Sequence, residues 1–552
     1  MKQSSALVLA VLMLATGCTK VASTAGGGVA MPGPGAGGRH SYTIPHVLRY
    51  ATAEDIVGLN PHLSQQLVVS YMSSMTMAWL VKYDVHNLPV PELATVVPTQ
   101  ANGGFSKDGL TLTYHVRKNA KWSDGVPFTA DDVVFSTKVV LNPANNEVGR
   151  DGWDLITKVD EPDKYTVVYH LKKPYAAYAA TFFGSGGANP CVLPVHLLGT
   201  LPNINNAPYN ALPVGIGPFK YQSWKRADSV TLVPDPLYFR GLPKLKKIVF
   251  RIVPDRNTVL TQLETHEIDL WAGVSFAFYD RARAVPGIVV DRYPSYYFDH
   301  LDFQNTHPPL DDVRVRRALR MAIDREEIKA KLHHGLGVIQ DDPISPIHPA
   351  HDPAVPTTPF DLAAAGKLLD DAGWTMGPNG LRTKNGKTMT FTFATTTGTP
   401  DADQGIELMR ANWQKLGVAI SVRHYPAPLM FAPYASGGIV YGGKWDMITF
   451  AWGGDPIGDL SNVYSCEQIP PKGQNDPRYC DRKVTDAMNR FKLLYDSKQR
   501  QPYSNIVQQG IASDAPIAVL DIREDTYARN TDLTGFHPNQ VSPFDDSMNI
   551  DI

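Results

Sequence analysis

The stretch from Leu112 to Ser136, LTYHVRKNAKWSDGVPFTADDVVFS, constrains the fold more than any other part of the chain. Its first part alternates apolar and polar residues, the period of a half-buried strand. Trp122-Ser123-Asp124-Gly125 then supplies turn chemistry. Thr129 precedes an apolar helical pattern and can cap it. Asp132, three residues on, stands where a capping box places its acidic partner. Strand, turn and capped helix follow one another with no spacer.

This segment resembles the signature of the peptide/nickel family of bacterial extracellular solute-binding proteins, the dipeptide- and oligopeptide-binding proteins that feed ABC importers. Further segments are similar to that family in the same order. They are Leu59-Asn60-Pro61, the run LPVPELATVVPT, Val214-Gly215-Ile216-Gly217-Pro218-Phe219, PDPLYF, the stretch LDFQNTHPPLDDVRVRRALRMAIDREEI, and Asp361 to Gly373. The likeness runs from about Tyr42 to Phe536. The Gly-x-Gly at 215–217 is not read as a phosphate loop, because Pro218 follows and no helix pattern opens after it.

The resemblance implies an α/β, periplasmic-binding-protein-like, two-lobed clamshell of mixed sheets with flanking helices and an extra inserted domain. The expected lobe I joins 42–90, 210–297 and 525–552. The inserted domain is expected at 91–209 and lobe II at 298–524. A chain of 552 residues is long enough for two or three such bodies.

The N-terminus reads as a processing signal. Lys2 precedes an apolar run from Ala6 to Leu14, too short to span a bilayer. Ala15-Thr16-Gly17-Cys18 resembles a lipobox, which implies a signal peptide over 1–18 and a lipid on Cys18; ordinary cleavage nearby is the alternative. Residues 19–41, rich in Gly, Ala and Pro, cannot bury enough apolar area to order themselves and read as a tether. The expected location is outside the cell membrane, periplasmic or at the cell surface, with lipid as the only membrane contact. In such a compartment Cys466 and Cys480 can pair across a short Pro/Gly/Asn-rich loop, leaving Cys191 unpaired. A net charge of -2 argues against nucleic acid as a partner.

Local patterns predict a helix over about 65–81, a hairpin over 102–117, and a second hairpin over 158–171 that turns at Glu161-Pro162-Asp163. A first strand is expected from Tyr42 to Tyr50. Val315, Ala318, Leu319, Ala322 and Ile323 follow helical spacing. Arg314, Arg316, Arg317 and Arg320 on that helix read as a solvated face with carboxylate partners. Asp324 can cap the next helix, with Glu327 at the capping-box position.

The binding candidate is WDMITFAWGGDPIGDLSNVY. A buried strand over 446–451 delivers Trp452-Gly453-Gly454-Asp455 to its C-terminal end, where ligands of α/β proteins collect. The resemblance implies that Asp455 pairs with the α-ammonium of a peptide. A buried ammonium needs a fixed opposite charge to replace lost water. Gly453 and Gly454 would let the backbone approach ligand, and Trp452 would form an apolar wall. Asp455 as a helix cap before Pro456 is the bland alternative, and Asp459 is the second carboxylate. Tyr296, Tyr297, Gly217 and the loop 52–60 are placed at the cleft by the same resemblance.

No Gly-x-Ser-x-Gly, His-Glu-x-x-His or Walker A sequence is present, and His348-Pro349-Ala350-His351-Asp352 is a poor metal set. The chain is therefore expected to be no enzyme and to carry no cofactor or metal. Its expected role is capture of short peptides for an ABC permease, as a monomer. Alternatives are another cargo (a nickel chelate, haem, an opine or an oligosaccharide) or, from a different class, a secreted hydrolase. No Arg or Lys matches a role toward a peptide carboxylate.

Overall fold

Two long antiparallel strands, Ile288–Phe303 and Ile517–Asn530, organise the molecule. They form the centre of a ten-stranded mixed sheet. On one side lie Leu270–Ala272, Val47–Thr52, Lys247–Ile252, Ser229–Pro234 and Phe219–Lys225, in that order. On the other lie Met447–Trp452, Thr390–Thr396 and Ala419–Tyr425. The structure is a computed structural model that describes residues 38–53, 56–64, 66–147, 150, 152–185, 190–397, 400–432, 434, 437–539 and 542–552. The signal segment with Cys18, and the tether up to 37, fall outside the described residues.

The register of the central pair shifts between Pro294 and Phe298 and again between Asp299 and His300. Proline has no N–H to give to a ladder, so pairing breaks where the chain passes Pro294. Before the break Ile288–Phe303 runs alongside one core, after it alongside another. The first core contains Leu48, Ile248, Phe250 and Leu270. The second contains Leu301, Phe303, Leu319, Phe393, Trp413 and Met447. The protein is thus a two-lobed α/β fold whose lobes share two strands.

A separate three-stranded sheet, Thr111–His115, Thr166–Leu171 and Ile156–Asp163, packs with helix Ala130–Leu141. Here the opening sequence segment acquires its reason. Asp132 is 2% exposed and accepts three hydrogen bonds. The Thr129 N–H reaches it at 3.0 Å, the Val195 N–H at 3.0 Å and the Trp122 indole N–H at 3.3 Å. One buried carboxylate ties together the turn, the helix start and a distant chain segment.

Several local expectations need correction. The helix expected over 65–81 is Leu67–Thr76, and the chain then extends into strand Val81–Tyr83. The 102–117 hairpin reduces to one strand, Thr111–His115, with a single bridge from Phe105 to Leu112. Glu161-Pro162-Asp163 lies within Ile156–Asp163 at a register shift, and the turn follows it, where the Tyr165 N–H meets Asp163 Oδ1 at 2.8 Å. The first strand begins only at Val47, after His46 adopts φ 64°.

The arginine run is not a solvated face. Arg316 and Arg320 are each 6% exposed. Arg316 donates to Asp514 O, Ala515 O and Leu310 O, Arg317 to Ser513 O, and Arg320 to Ala512 O. Carboxylate partners are found as expected for Arg314, with Asp312 at 2.7 Å, and for Arg320, with buried Asp341 at 3.4 Å. Three guanidinium groups bind the carbonyls that end helix Ser497–Asp514, where the last turn has no partners of its own and the dipole favours cations.

Candidate functional site

Strand Met447–Trp452 pairs antiparallel with Phe298–Phe303, so Trp452 stands opposite Phe298 beside the register break. Trp452 is partly buried against Phe450, ring centroids 5.6 Å apart. The chain then turns close under Tyr296. The Gly454 N–H donates to Tyr296 O at 2.9 Å. A Cβ on Gly454 would lie 2.7 Å from that same oxygen, and one on Gly453 3.2 Å from the Tyr297 ring. Gly454 is therefore required by the protein's own packing, whereas a side chain at Gly453 would press only on the exposed Tyr297 ring.

Asp455 follows. Its Oδ1 accepts from the Ile457 N–H at 2.8 Å and the Asp459 N–H at 3.0 Å. The residue caps a tight turn rather than a helix; the next helix, Ser461–Tyr464, begins later. Its second oxygen has no hydrogen bond among the described residues. The residue is half-buried by solvent exposure although it lies deep in the protein. Burial first, and the neighbouring Asp459 carboxylate second, push its pKa up to about 6. The two backbone N–H groups and Arg500 oppose that rise.

The turn is clamped from outside by His348. That side chain is 6% exposed, and its ring lies 4.7 Å from that of Tyr296, tilted by 50°. Its Nδ1 accepts from the Ala350 N–H at 2.9 Å, so Nε2 carries the proton and donates to Pro456 O at 3.2 Å. Burial pulls its pKa down to about 4, so the imidazole is neutral. Among the described residues no group of three or more His, Cys, Asp or Glu could hold a metal ion.

A cavity of about 470 Å³ opens beside this turn. Tyr83, Tyr178 and Val97 line it from one side. His348, Ile457, Phe491, Tyr495 and Arg500 line it from the other. Tyr495 crosses between them: its hydroxyl donates to Gly109 O at 2.9 Å and accepts from the Tyr175 N–H at 2.9 Å.

Of the residues singled out from the sequence, Trp452, Gly453, Gly454, Asp455, Tyr296 and Tyr297 come together here. Tyr297 is 53% exposed. Gly217 does not join them in any recorded contact. It is buried under the end of helix Leu67–Thr76, its N–H on Thr76 O at 3.0 Å, and a Cβ there would sit 2.2 Å from Met75 O. Its bareness serves core packing. Cys466 and Cys480 are bonded, with Cα atoms 4.6 Å apart, and Cys191 is buried. Sequence reasoning missed Arg500 and the Tyr83–Tyr178 wall. Arg500 reads locally as any basic residue in the first turn of a helix capped by Asp496.

Two α/β lobes joined by shared strands, with a cavity between aromatic walls beside the 454–459 turn, define a ligand-binding protein of the periplasmic type. Residues 89–469 match the family described as bacterial extracellular solute-binding proteins, family 5 Middle, and the chain belongs to that family. It is a solute-binding protein of the ABC-importer class and not an enzyme. The oligopeptide-binding protein AppA of Bacillus subtilis is 26% identical over 445 residues, covering 78% of this chain and 79% of that protein. The solved structure of AppA in complex with a nonapeptide superposes with a TM-score of 0.70 at 22% identity, covering 91% of this chain and 98% of that one. NikZ from Campylobacter jejuni in complex with Ni(L-His) gives 0.71 at 23% identity, covering 92% of this chain and 100% of that one.

Proposed function

We propose that this protein captures short peptides in its interlobe cleft and delivers them to the permease of an ABC importer, tethered to the membrane through a lipid on Cys18. Asp455 is the residue that meets the peptide's α-ammonium. The observation that carries this reading is its second oxygen. That atom is free of hydrogen bonds among the described residues, on a half-buried residue next to the cavity-lining Pro456 and Ile457, with no cation within 4.0 Å among the described residues. A carboxylate held so is costly unless a ligand supplies the positive charge. The name of the related Bacillus subtilis protein supports a peptide as the cargo. The break at Pro294–His300 supports lobes of 42–90, 210–297 and 525–552 on one side, 298–524 on the other, with 91–209 as the inserted domain. Closure about that break is a hinge motion.

Isothermal titration of the mature protein with a tripeptide and its N-acetylated form tests the reading. Binding of the free amine and loss of binding on acetylation is the expected result. Equal affinity for both removes Asp455 from the role. A non-peptide cargo is the second reading, favoured by the shared fold of NikZ with its nickel–histidine ligand. Such a chelate would bring its own donor atoms. Native mass spectrometry of the protein as purified separates the two by ligand mass.

A further inference from the structure

Tyr495 sits in a core to which its own stretch of chain does not belong. The core around the sheet Thr111–His115, Thr166–Leu171 and Ile156–Asp163 draws on residues between 78 and 239, and among the described residues Tyr495 is the one member from outside that range. It rides on the connection at 492–496 between helices Arg482–Phe491 and Ser497–Asp514. Those helices bury Val484, Ala487, Met488, Val507 and Ile511 in a different core, together with Phe298 and Val519 of the central strands. The helix pair is thus fixed in one body, and its tip ends in another.

The Tyr495 ring lies 4.1 Å from that of Phe105 and 5.9 Å, edge-on, from that of Tyr178. Its hydroxyl bonds Gly109 O and the Tyr175 N–H, and beside it the Ala176 N–H donates to Lys492 O at 3.3 Å. Gly109 has φ 71°, and a Cβ there would stand 2.9 Å from the ring, so bare backbone makes the seat. From behind, Arg500 donates to Leu494 O and Tyr495 O, both at 3.2 Å, and Asp496 caps the next helix by accepting the Gln499 N–H at 3.0 Å. The connection is therefore stiff and presents its ring in one orientation. The contact at its tip is small: two hydroxyl bonds, one backbone bond and one ring in an aromatic slot. A contact of that size is readily reversed, unlike the helix packing behind it. Tyr495, Tyr178 and Val97 also line the cavity, so withdrawing the ring takes away part of its wall.

We propose that Tyr495 is a latch: docked between Phe105 and Tyr178, it holds lobe II to the inserted domain and seals that side of the cavity, and a guest enters or leaves when it withdraws. This rests on the domain division and the cleft proposed above. The inserted domain then has a task in the binding cycle, as the seat that lobe II catches on closing. A contact made in the closed form and absent from the open one shifts the population toward closure by its own strength, whatever the chemistry of the guest.

Hydrogen exchange of the full mature chain without ligand tests the latch. It is read at the Ala176 amide, whose partner Lys492 O lies on the tip but is not the group that is altered. Tyr495→Phe removes both hydroxyl bonds and keeps the ring. Gly109→Ala pushes on the ring from a residue that does not line the cavity. Each should speed Ala176 exchange by about tenfold, the effect of losing ordinary hydrogen bonds from the closed form. Amides of strand Thr166–Leu171 should stay within about twofold of the parent and so report an intact inserted domain. Release of trialanine, followed by stopped-flow fluorescence, should quicken by about the same tenfold. Ala176 exchange at the parent's rate in Tyr495→Phe, with the strand amides intact, overturns the latch. Should that variant lose the strand protection, Gly109→Ala decides by the same criterion. Faster Ala176 exchange with unchanged trialanine release overturns the link between latch and guest. A parent protein that does not bind trialanine strikes the peptide reading instead, and Ala176 exchange still decides whether Tyr495 holds the two bodies together.

Discussion

Replacing Asp455 by Asn should move stability and binding in opposite directions. Its carboxyl pKa rises from 3.8 to about 6 in the fold. That difference of about two units corresponds to roughly 3 kcal/mol against the ionised form. Asp455 keeps partial solvent contact, so about 1–2 kcal/mol is the reasonable share. The sign follows from linkage. A raised acid pKa means that the folded state disfavours the charge, so the cost is fully present above pH 6. It shrinks as pH falls and is gone below about pH 4. Asn carries no charge and still offers an Oδ1 to the N–H groups of Ile457 and Asp459. Asp455→Asn should therefore be more stable by about 1–2 kcal/mol at pH 7.5 in urea unfolding, and the gain should vanish near pH 4. Peptide affinity should drop by about 2–5 kcal/mol in the same variant. The parent protein should also bind about tenfold more weakly at pH 5 than at pH 7, because Asp455 must be ionised to meet an ammonium. His348, at about 4, does not titrate in that window, nor does a peptide's amine or carboxyl. An Asn variant that is less stable at pH 7.5, or that keeps the parent's pH slope, would refute the reasoning.

Two further outcomes follow from the packing. Reducing the Cys466–Cys480 bridge, which spans a sequence separation of 14, should cost about 3 kcal/mol by the loop-entropy account, read as a drop in thermal midpoint under reductant. Gly217→Ala should destabilise by about 1–3 kcal/mol, since its Cβ would meet the Met75 carbonyl oxygen at 2.2 Å, while peptide affinity of the folded fraction stays unchanged.

Much of the fold was legible because its signals are local. The Thr129–Asp132 box, the Asp324 and Asp361 caps and Gly373 at φ 84° each depend on residues within a few positions of one another. The Gly454–Asp455 turn was legible for the same reason, although Gly454 answers to the Tyr296 backbone. The misread elements are those where a distant partner decides. Arg316 and Arg320 leave solvent because the carbonyl end of helix Ser497–Asp514 arrives beside them. Pro162 sits inside a strand because a bulge absorbs it.

The amino-acid order alone settled the alternation of strands and capped helices, and with it the family. Periodicity and caps are written in neighbouring residues. Only the tertiary structure brought Tyr83, Tyr178, Tyr495 and Arg500 to the walls of one cavity beside the turn that carries Asp455. Those residues are far apart along the chain, and no local pattern distinguishes a wall residue from a core or surface one. Their juxtaposition exists only once the two shared strands have brought the lobes face to face.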